Sequence, residues 1–261
     1  MVNIEELEWL NREFSGLNVV AEGVQGPVTF TANWDGDRAG REFIIWPSLE
    51  EETTGETLTV TYSIRISPRR ENSASRLPEL NVVGLGACLD RHLQQPSGTA
   101  CLISPLEEEP FLRPDFSFRV FFEQLILPFL YGQRFYELHG RWPWGEYSHG
   151  LAGVLESYGR LKSFTDEVTT ECLRQLHREP SAWEMIRPLL QRSDEINGFE
   201  RCFCSKHCRL KDCHSEALLG LKHLRRNLKA APHLRVMLAH GPSFQLNRAS
   251  RRRAQRDKLR K

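Results

Sequence analysis

Along residues 58–66 every second position is apolar: Leu58, Val60, Tyr62, Ile64 and Ile66 alternate with Thr59, Thr61, Ser63 and Arg65. A period of two puts one set on each face, so the pattern predicts a half-buried strand of an antiparallel sheet. Shorter strand-like runs precede it at Leu17–Ala21, Val28–Trp34 and Glu42–Trp46, the last closed by Pro47. Before them, residues 3–14 carry Ile4, Leu7, Leu10 and the neighbouring Trp9 at helical spacing, with acids in the first turn. That predicts an N-terminal amphipathic helix with Ile4, Leu7, Leu10 and the neighbouring Trp9 on its apolar stripe.

The pattern changes after residue 66. Residues 67–79 are polar and turn-rich, and 80–86 form a short apolar segment. Residues 89–105, which contain Pro96, Gly98 and Pro105, read as an irregular loop. From Ser117 a long apolar helix begins, with a kink expected at Pro128 because proline lacks the N–H of the helical ladder. Helical patterns follow at 151–163, 165–178, 183–192 and near 216–228, and no internal repeat is visible. The expected class is α+β: a main domain over 1–193, a small unit over 194–230 and a tail over 231–261.

Composition narrows the picture. With 40% hydrophobic and 10% aromatic residues, the 261-residue chain can build a real core. The formal net charge of +1 conceals an asymmetry, with twelve acids against three bases over residues 1–60 and eight bases against one acid over 248–261. The start is acidic and amphipathic, unlike a secretory signal. The most apolar run, Val120–Tyr131, is too short for a bilayer, so a soluble, cytoplasmic protein without membrane partners is expected. The basic tail has no aromatic residue for base stacking, which argues against sequence-specific nucleic-acid recognition.

Cys101 stands on the irregular loop, in Gly98-Thr-Ala-Cys-Leu-Ile-Ser-Pro105. Free cysteine favours the core, so a loop position suggests a sulfur offered to another macromolecule. A thiol can both accept and donate an acyl group through a thioester. Apart from Arg91 and His92 its neighbours are not basic, so a strongly activated thiolate is not expected. Cys88 and Cys172 lie in apolar or helical surroundings and read as core thiols.

This segment resembles the active-site segment of ubiquitin-conjugating enzymes. There a His-Pro-Asn turn is followed by a glycine three residues before a Cys-Leu pair; here His92 precedes Gly98-Thr-Ala-Cys101-Leu102. An N-terminal helix, a strand meander, a proline-containing segment (Leu77-Pro78-Glu79) and a helix after the cysteine keep the family's order. The chain is most similar to divergent bacterial members of antiphage operons of the cyclic-oligonucleotide (CBASS) type, on Phe129-Leu-Tyr-Gly-Gln-Arg-Phe-Tyr136 and Trp142-Pro-Trp-Gly-Glu-Tyr-Ser-His-Gly150. The likeness covers roughly residues 1–160.

The resemblance implies the ubiquitin-conjugating-enzyme-like fold and a cysteine acyltransferase. Cys101 would take the C-terminal carboxyl of a cGAS-like nucleotidyltransferase as a thioester and pass it to acceptor lysines of target proteins, priming antiphage signalling. His92, Gln94 and His149 would assist. Gln94 would replace the family's asparagine as amide donor to the oxyanion, since Leu93 and Gln94 follow His92 where proline and asparagine are usual. His149 would accept a proton from the attacking amine. Two other classes remain open: a non-catalytic adaptor of the same fold, and a nucleic-acid-associated protein using its cysteine cluster and tail.

Four of the seven cysteines fall within Cys202–Cys213. Cys202-Phe-Cys204 and Cys213-His214 have the spacing C-x-C-x8-C-H, and three thiolates with one imidazole suit tetrahedral zinc. The expected structural zinc ligands are Cys202, Cys204, Cys213 and His214, with His207 and Cys208 as competitors. A redox pair of Cys202 and Cys204 is the alternative. The spacing is similar to the SEC-C zinc motif, which implies a small zinc-stabilised C-terminal unit.

Overall fold

The first helix begins where the sequence supplies its cap. In the computed structural model, which describes residues 3–35, 42–45, 55–69, 75–112, 116–144, 148–203 and 208–240, Asn3 caps helix α1 (Ile4–Glu13). The Asn3 side chain accepts from Glu6 N–H at 2.9 Å, and Glu6 Oε2 accepts from Asn3 N–H at 3.1 Å, a reciprocal capping box. The buried face of α1 is Glu6, Trp9 and Leu10, whereas Ile4 and Leu7 are exposed. The predicted stripe therefore holds at Trp9 and Leu10 and fails at Ile4 and Leu7. Glu6 is drawn inward because its Oε1 also accepts from the Ser117 hydroxyl at 3.1 Å and Arg119 N–H at 3.3 Å.

Five strands form one antiparallel sheet: β1 (Asn18–Val20), β2 (Gly23–Asp35), β3 (Glu42–Ile45), β4 (Glu56–Ser67) and β5 (Glu79–Val82). The order is β1-β2-β4-β5, with β3 also paired to β2. The long β2–β4 ladder sets Phe30 opposite Val60 and Val28 opposite Tyr62. On β4 the predicted alternation holds: Leu58, Val60, Ile64 and Ile66 are buried, Tyr62 is half-buried, and Thr59, Thr61, Ser63 and Arg65 are exposed. Of the third predicted strand, Trp46 lies outside the described residues.

After β5 the chain makes two short 3₁₀ turns, Leu89–Arg91 and Glu109–Phe111, before the long apolar helix. Ser117 caps α2 (Phe118–Phe121); a π-turn (Phe122–Ile126) follows, and α3 (Leu127–His139) completes the run. The sequence suggested a kink at Pro128. Instead the turn widens just before it, where Leu127 N–H reaches back five residues to Phe122 O. A wider turn makes room for a residue that has no N–H to give. Trp9, Phe14 and Phe122 meet with ring centroids 5.0–5.7 Å apart and share one core with Phe30, Val60, Phe118 and Tyr131. Each such side chain contributes about 1.5–3 kcal/mol through burial.

The chain divides into two compact units, Met1–Glu146 and Tyr147–Lys261. The sequence reading drew its boundary at 193. The second unit instead takes in α4 (Leu151–Arg160), α5 (Asp166–Leu176) and α6 (Pro180–Gln191), together with α7 (Leu210–Cys213), α8 (Ser215–Ala230) and α9 (Val236–His240). The reason is a close crossing of α4 and α8. A Cβ on Gly220 would lie 1.8 Å from Leu155 O, and one on Gly159 3.0 Å from Gly220 N. Only hydrogen at these positions lets the two backbones approach so closely. Around the crossing, the Tyr158 hydroxyl pairs with Thr169 Oγ1 at 2.9 Å and accepts from Asn227 Nδ2 at 2.8 Å. Among the described residues no helix is long and apolar enough to cross a membrane.

Candidate functional site

The loop that carries Cys101 is stitched by its own backbone. Cys88 and Leu93 exchange N–H···O bonds of 3.0 and 2.9 Å, and Gln94 N–H donates to Thr99 O at 2.8 Å. Leu93 bridges Ala100, Thr99 bridges Asn81 of β5, and Ala100 N–H donates to Leu80 O at 2.8 Å. The sheet thus extends irregularly past β5 into the loop. Leu93 and Ala100 anchor it in the core, and Cys101 follows them out to solvent as an exposed residue.

Helix α3 holds the other side of the loop. Arg91 donates from Nε to Gln133 Oε1 at 2.8 Å and from Nη2 to Glu137 Oε1 at 2.9 Å, and Gln133 Nε2 donates to Arg91 O at 2.6 Å. Burial works to raise the Glu137 carboxyl, but hydrogen bonds from Arg91 and Arg134 outweigh it and hold the pKa below the ordinary value. Trp142 Nε1 donates to Asp90 O at 2.9 Å, and its ring meets His92 edge-on at 4.8 Å. Gly132 provides the seat for the predicted aromatic packing, since a Cβ there would fall 2.2 Å from Trp142 Cζ3 and 2.9 Å from Trp144 Cζ2. Tyr147 of that segment lies outside the described residues.

His92 enters this site through its carbonyl, which accepts from Cys101 N–H at 2.8 Å, while its ring packs on Trp142. Gln94 and Cys101 line the same small cleft, together with Ser75, Leu77, Glu79, Thr99 and Ile103. Its space, about 30 Å³, holds a water or two and is too small for a small-molecule ligand. His149 belongs to the second unit, just ahead of α4. Cys172 is a buried core thiol as expected, and Cys88 is half-buried.

Glu108 was not legible as a site residue. It is fully buried, and its Oε2 accepts from Arg76 N–H at 2.9 Å and from Arg76 Nε at 3.4 Å. Residue 101 keeps exposed surface, but the protein packed around its sulfur desolvates the thiol and pushes it up from its ordinary value, and the Glu108 carboxylate adds to the effect. The sequence gives three successive glutamates, 107–109, and three like residues carry no phase that would tell which one turns inward.

In the second unit, the sulfurs of Cys202, Cys208 and Cys213 lie within 4.8 Å of one another. A narrow hairpin makes this possible: Cys202 N–H donates to Cys208 O at 2.8 Å, Leu210 N–H to Glu200 O at 2.9 Å, and Cys213 ends α7. With Zn–S bonds of about 2.3 Å, tetrahedral thiolates stand about 3.8 Å apart, so small side-chain adjustments would let these three hold a metal ion. His214 Nδ1 lies 3.1 Å from Cys202 Sγ, on the edge of the cluster. The predicted set is thus met at Cys202 and Cys213, and Cys208, expected only as a competitor, stands in the three-sulfur group. Cys204 and His207 lie outside the described residues. Cys208 joins the group because the register of the paired segments sets its carbonyl opposite Cys202 N–H.

No protein-family model, no curated protein and no solved structure matches this chain.

Proposed function

We propose that this chain is a ubiquitin-conjugating-enzyme-like acyltransferase that carries a protein's C-terminal carboxyl as a thioester on Cys101. The observation that carries the reading is the exposed Cys101, on a loop that follows the last strand of an antiparallel sheet and is fastened on both sides. An N-terminal helix, an antiparallel sheet and a long helix after the cysteine support the ubiquitin-conjugating reading, whereas the expected meander is not kept, because β4 pairs with β2 and β3 also pairs with β2.

In loading, the Cys101 sulfur attacks the acyl carbon of an activated donor. A C–S bond to Cys101 forms, the bond to the donor sulfur breaks, and the departing sulfur takes the proton. In transfer, a lysine amine attacks the same carbon, a C–N bond forms and Cys101 leaves as a thiol. Gln94, on the wall of the same cleft, is suited to donate its amide to the oxyanion formed as the lysine attacks. His92 acts as a positioning residue through its carbonyl. The small cleft fits an extended, small-residue chain end.

By the sequence resemblance, the donor is the C-terminal tail of a cGAS-like nucleotidyltransferase, the acceptors are lysines of target proteins, and the setting is cytoplasmic antiphage signalling. Zinc on Cys202, Cys208 and Cys213, with His214 as the adjacent candidate fourth ligand, would fix the hairpin ahead of α8 and so serve a structural role.

The test is an ester trap. A Cys101→Ser protein expressed with the nucleotidyltransferase and its activating enzyme should accumulate a covalent adduct of the summed mass that survives reducing agent, while Cys101→Ala forms none. Identical behaviour of the two variants would instead indicate a non-catalytic adaptor.

A further inference from the structure

The fold contains a buried acid that the reaction outlined above does not use. Glu108 has no exposed surface, and its Oε1 has no hydrogen-bond partner among the described residues. The turn that carries it is closed by Glu107 N–H to Ser104 O at 2.9 Å and Phe111 N–H to Glu108 O at 2.9 Å. Its Oε2 is held by the backbone and guanidinium of Arg76. Arg76 lies between Ser75 and Leu77, two wall residues of the Cys101 cleft; Ile103 and Pro105, which lead into the Glu108 turn, are two more. The acid is thus tied to both segments that flank the cleft, through Arg76 on one side and through its own turn on the other.

We propose that Glu108 acts through Cys101: its buried carboxylate sets how readily that sulfur reacts with an electrophile and how readily it releases an acyl group. A half-satisfied carboxylate in a low-dielectric setting exerts a field that water does not screen. Negative charge developing on the sulfur is disfavoured by that field, in line with the upward shift of the Cys101 thiol, in which Glu108 is the second cause after desolvation. Sulfur leaves a thioester more slowly when its thiol is less acidic. The acyl group would then resist stray nucleophiles and move only to an amine held in place. As that amine attacks, the C–N bond forms, the C–S bond breaks, and the departing sulfur takes up the proton that the amine gives off, so no free thiolate need persist. The other charged groups facing this corner are Arg76, which also approaches Glu109 at 3.8 Å, and the buried Glu79 on the cleft wall.

The release role rests on the acyl-carrier reading, but the grip of Glu108 on the sulfur does not, and the two are measured separately. The full-length protein is alkylated with iodoacetamide between pH 6 and pH 10, and modification of Cys101 is followed by peptide mass spectrometry. Glu108→Gln, which keeps an oxygen for Arg76, should move the midpoint of the rate profile to lower pH. Below the midpoint the larger thiolate fraction should outweigh the lower nucleophilicity of a more acidic thiol and speed alkylation by about threefold. Arg76→Gln, which removes the compensating charge, should move the midpoint the other way. Glu108→Asp should restore most of the wild-type profile. A merely structural role would change the rate by the same factor at every pH and leave the midpoint in place. That result in Glu108→Gln, or an unmoved midpoint in Arg76→Gln should the first variant not fold, overturns the proposal. Loading of an acyl group on Cys101 is scored in parallel, and its absence would count against the carrier reading alone.

Discussion

Cys101 gives its backbone N–H to the carbonyl of His92 at 2.8 Å. His92 can accept there because it stands in the left-handed region, at φ 52°, where it ends the 3₁₀ turn Leu89–Arg91. Non-glycine residues adopt that conformation only where their surroundings hold it. Here the surroundings are Trp142 against the imidazole and the Arg91 contacts to α3 on the residue before. The reactive sulfur is thus positioned through its neighbour's backbone.

Loss of that support should loosen the cysteine before it unfolds the protein. Trp142→Ala removes a large buried side chain and should cost about 3–5 kcal/mol of stability in urea denaturation. At sub-denaturing urea, amide hydrogen exchange should rise first in residues 88–101. Uniform loss of protection across the sheet would argue against a local role.

Gln94→Ala should leave loading of Cys101 intact and slow transfer to an amine by about 100-fold or more, the typical effect of removing one preorganised oxyanion donor. Single-turnover assays of the two steps separate them. Equal rates for wild type and variant in both steps would remove Gln94 from the mechanism.

The α4–α8 crossing depends on Gly220. Gly220→Ala would drive a methyl group to 1.8 Å from Leu155 O, so the helices must part, at about 1–3 kcal/mol or more. The loss should appear as a lower midpoint for the second unit in thermal denaturation, with Gly140→Ala, where a Cβ would meet open space but a positive φ, as the milder comparison.

Acid should weaken the second unit before it weakens the first. His177 is buried against Trp183 with ring centroids 4.1 Å apart, and burial holds its pKa below the ordinary 6.5. The unfolded chain therefore takes up a proton at a higher pH than the folded one, and the stability this provides is present above pH 6.5 and declines as pH falls from there. Glu137, in the first unit, has a lowered carboxyl pKa, so its contribution persists until the pH drops below about 4.5. Urea midpoints at pH 7.5, 5.5 and 4 should fall first for the second unit, and His177→Gln should flatten that first decline.

Zinc should accompany the purified protein at about one ion per chain without added metal, and Cys208→Ser should lower that content as strongly as Cys213→Ser. Full zinc occupancy in Cys208→Ser would exclude Cys208 from the ligand set and return the weight to the C-x-C pair.

Much of this was readable from periodicity. The alternation on β4 and the helical runs over 151–191 have strong phases, and each appeared within a few residues of its predicted bounds. The phase of α1 was misleading because Glu6 is buried by capping and by Ser117, contacts that join residues more than a hundred positions apart. The unit boundary was hidden for the same reason, since two glycines 61 positions apart create the α4–α8 contact. At the site, Cys101 stood out by its loop context, whereas Arg91 and Glu108 take their importance from partners, Glu137 and Arg76, that only the fold brings to them.

The central claim is that Cys101 accepts an acyl group and then releases it, and intact mass measurement tests it most directly. The full-length protein is incubated with a thioester of a short glycine-ended peptide, then with free amine. The account expects a mass gain of one peptide acyl group, located on Cys101, reversed by hydroxylamine and discharged by the amine. No gain, or acylation scattered over Cys88 and the Cys202–Cys213 cluster with Cys101 bare, would contradict it.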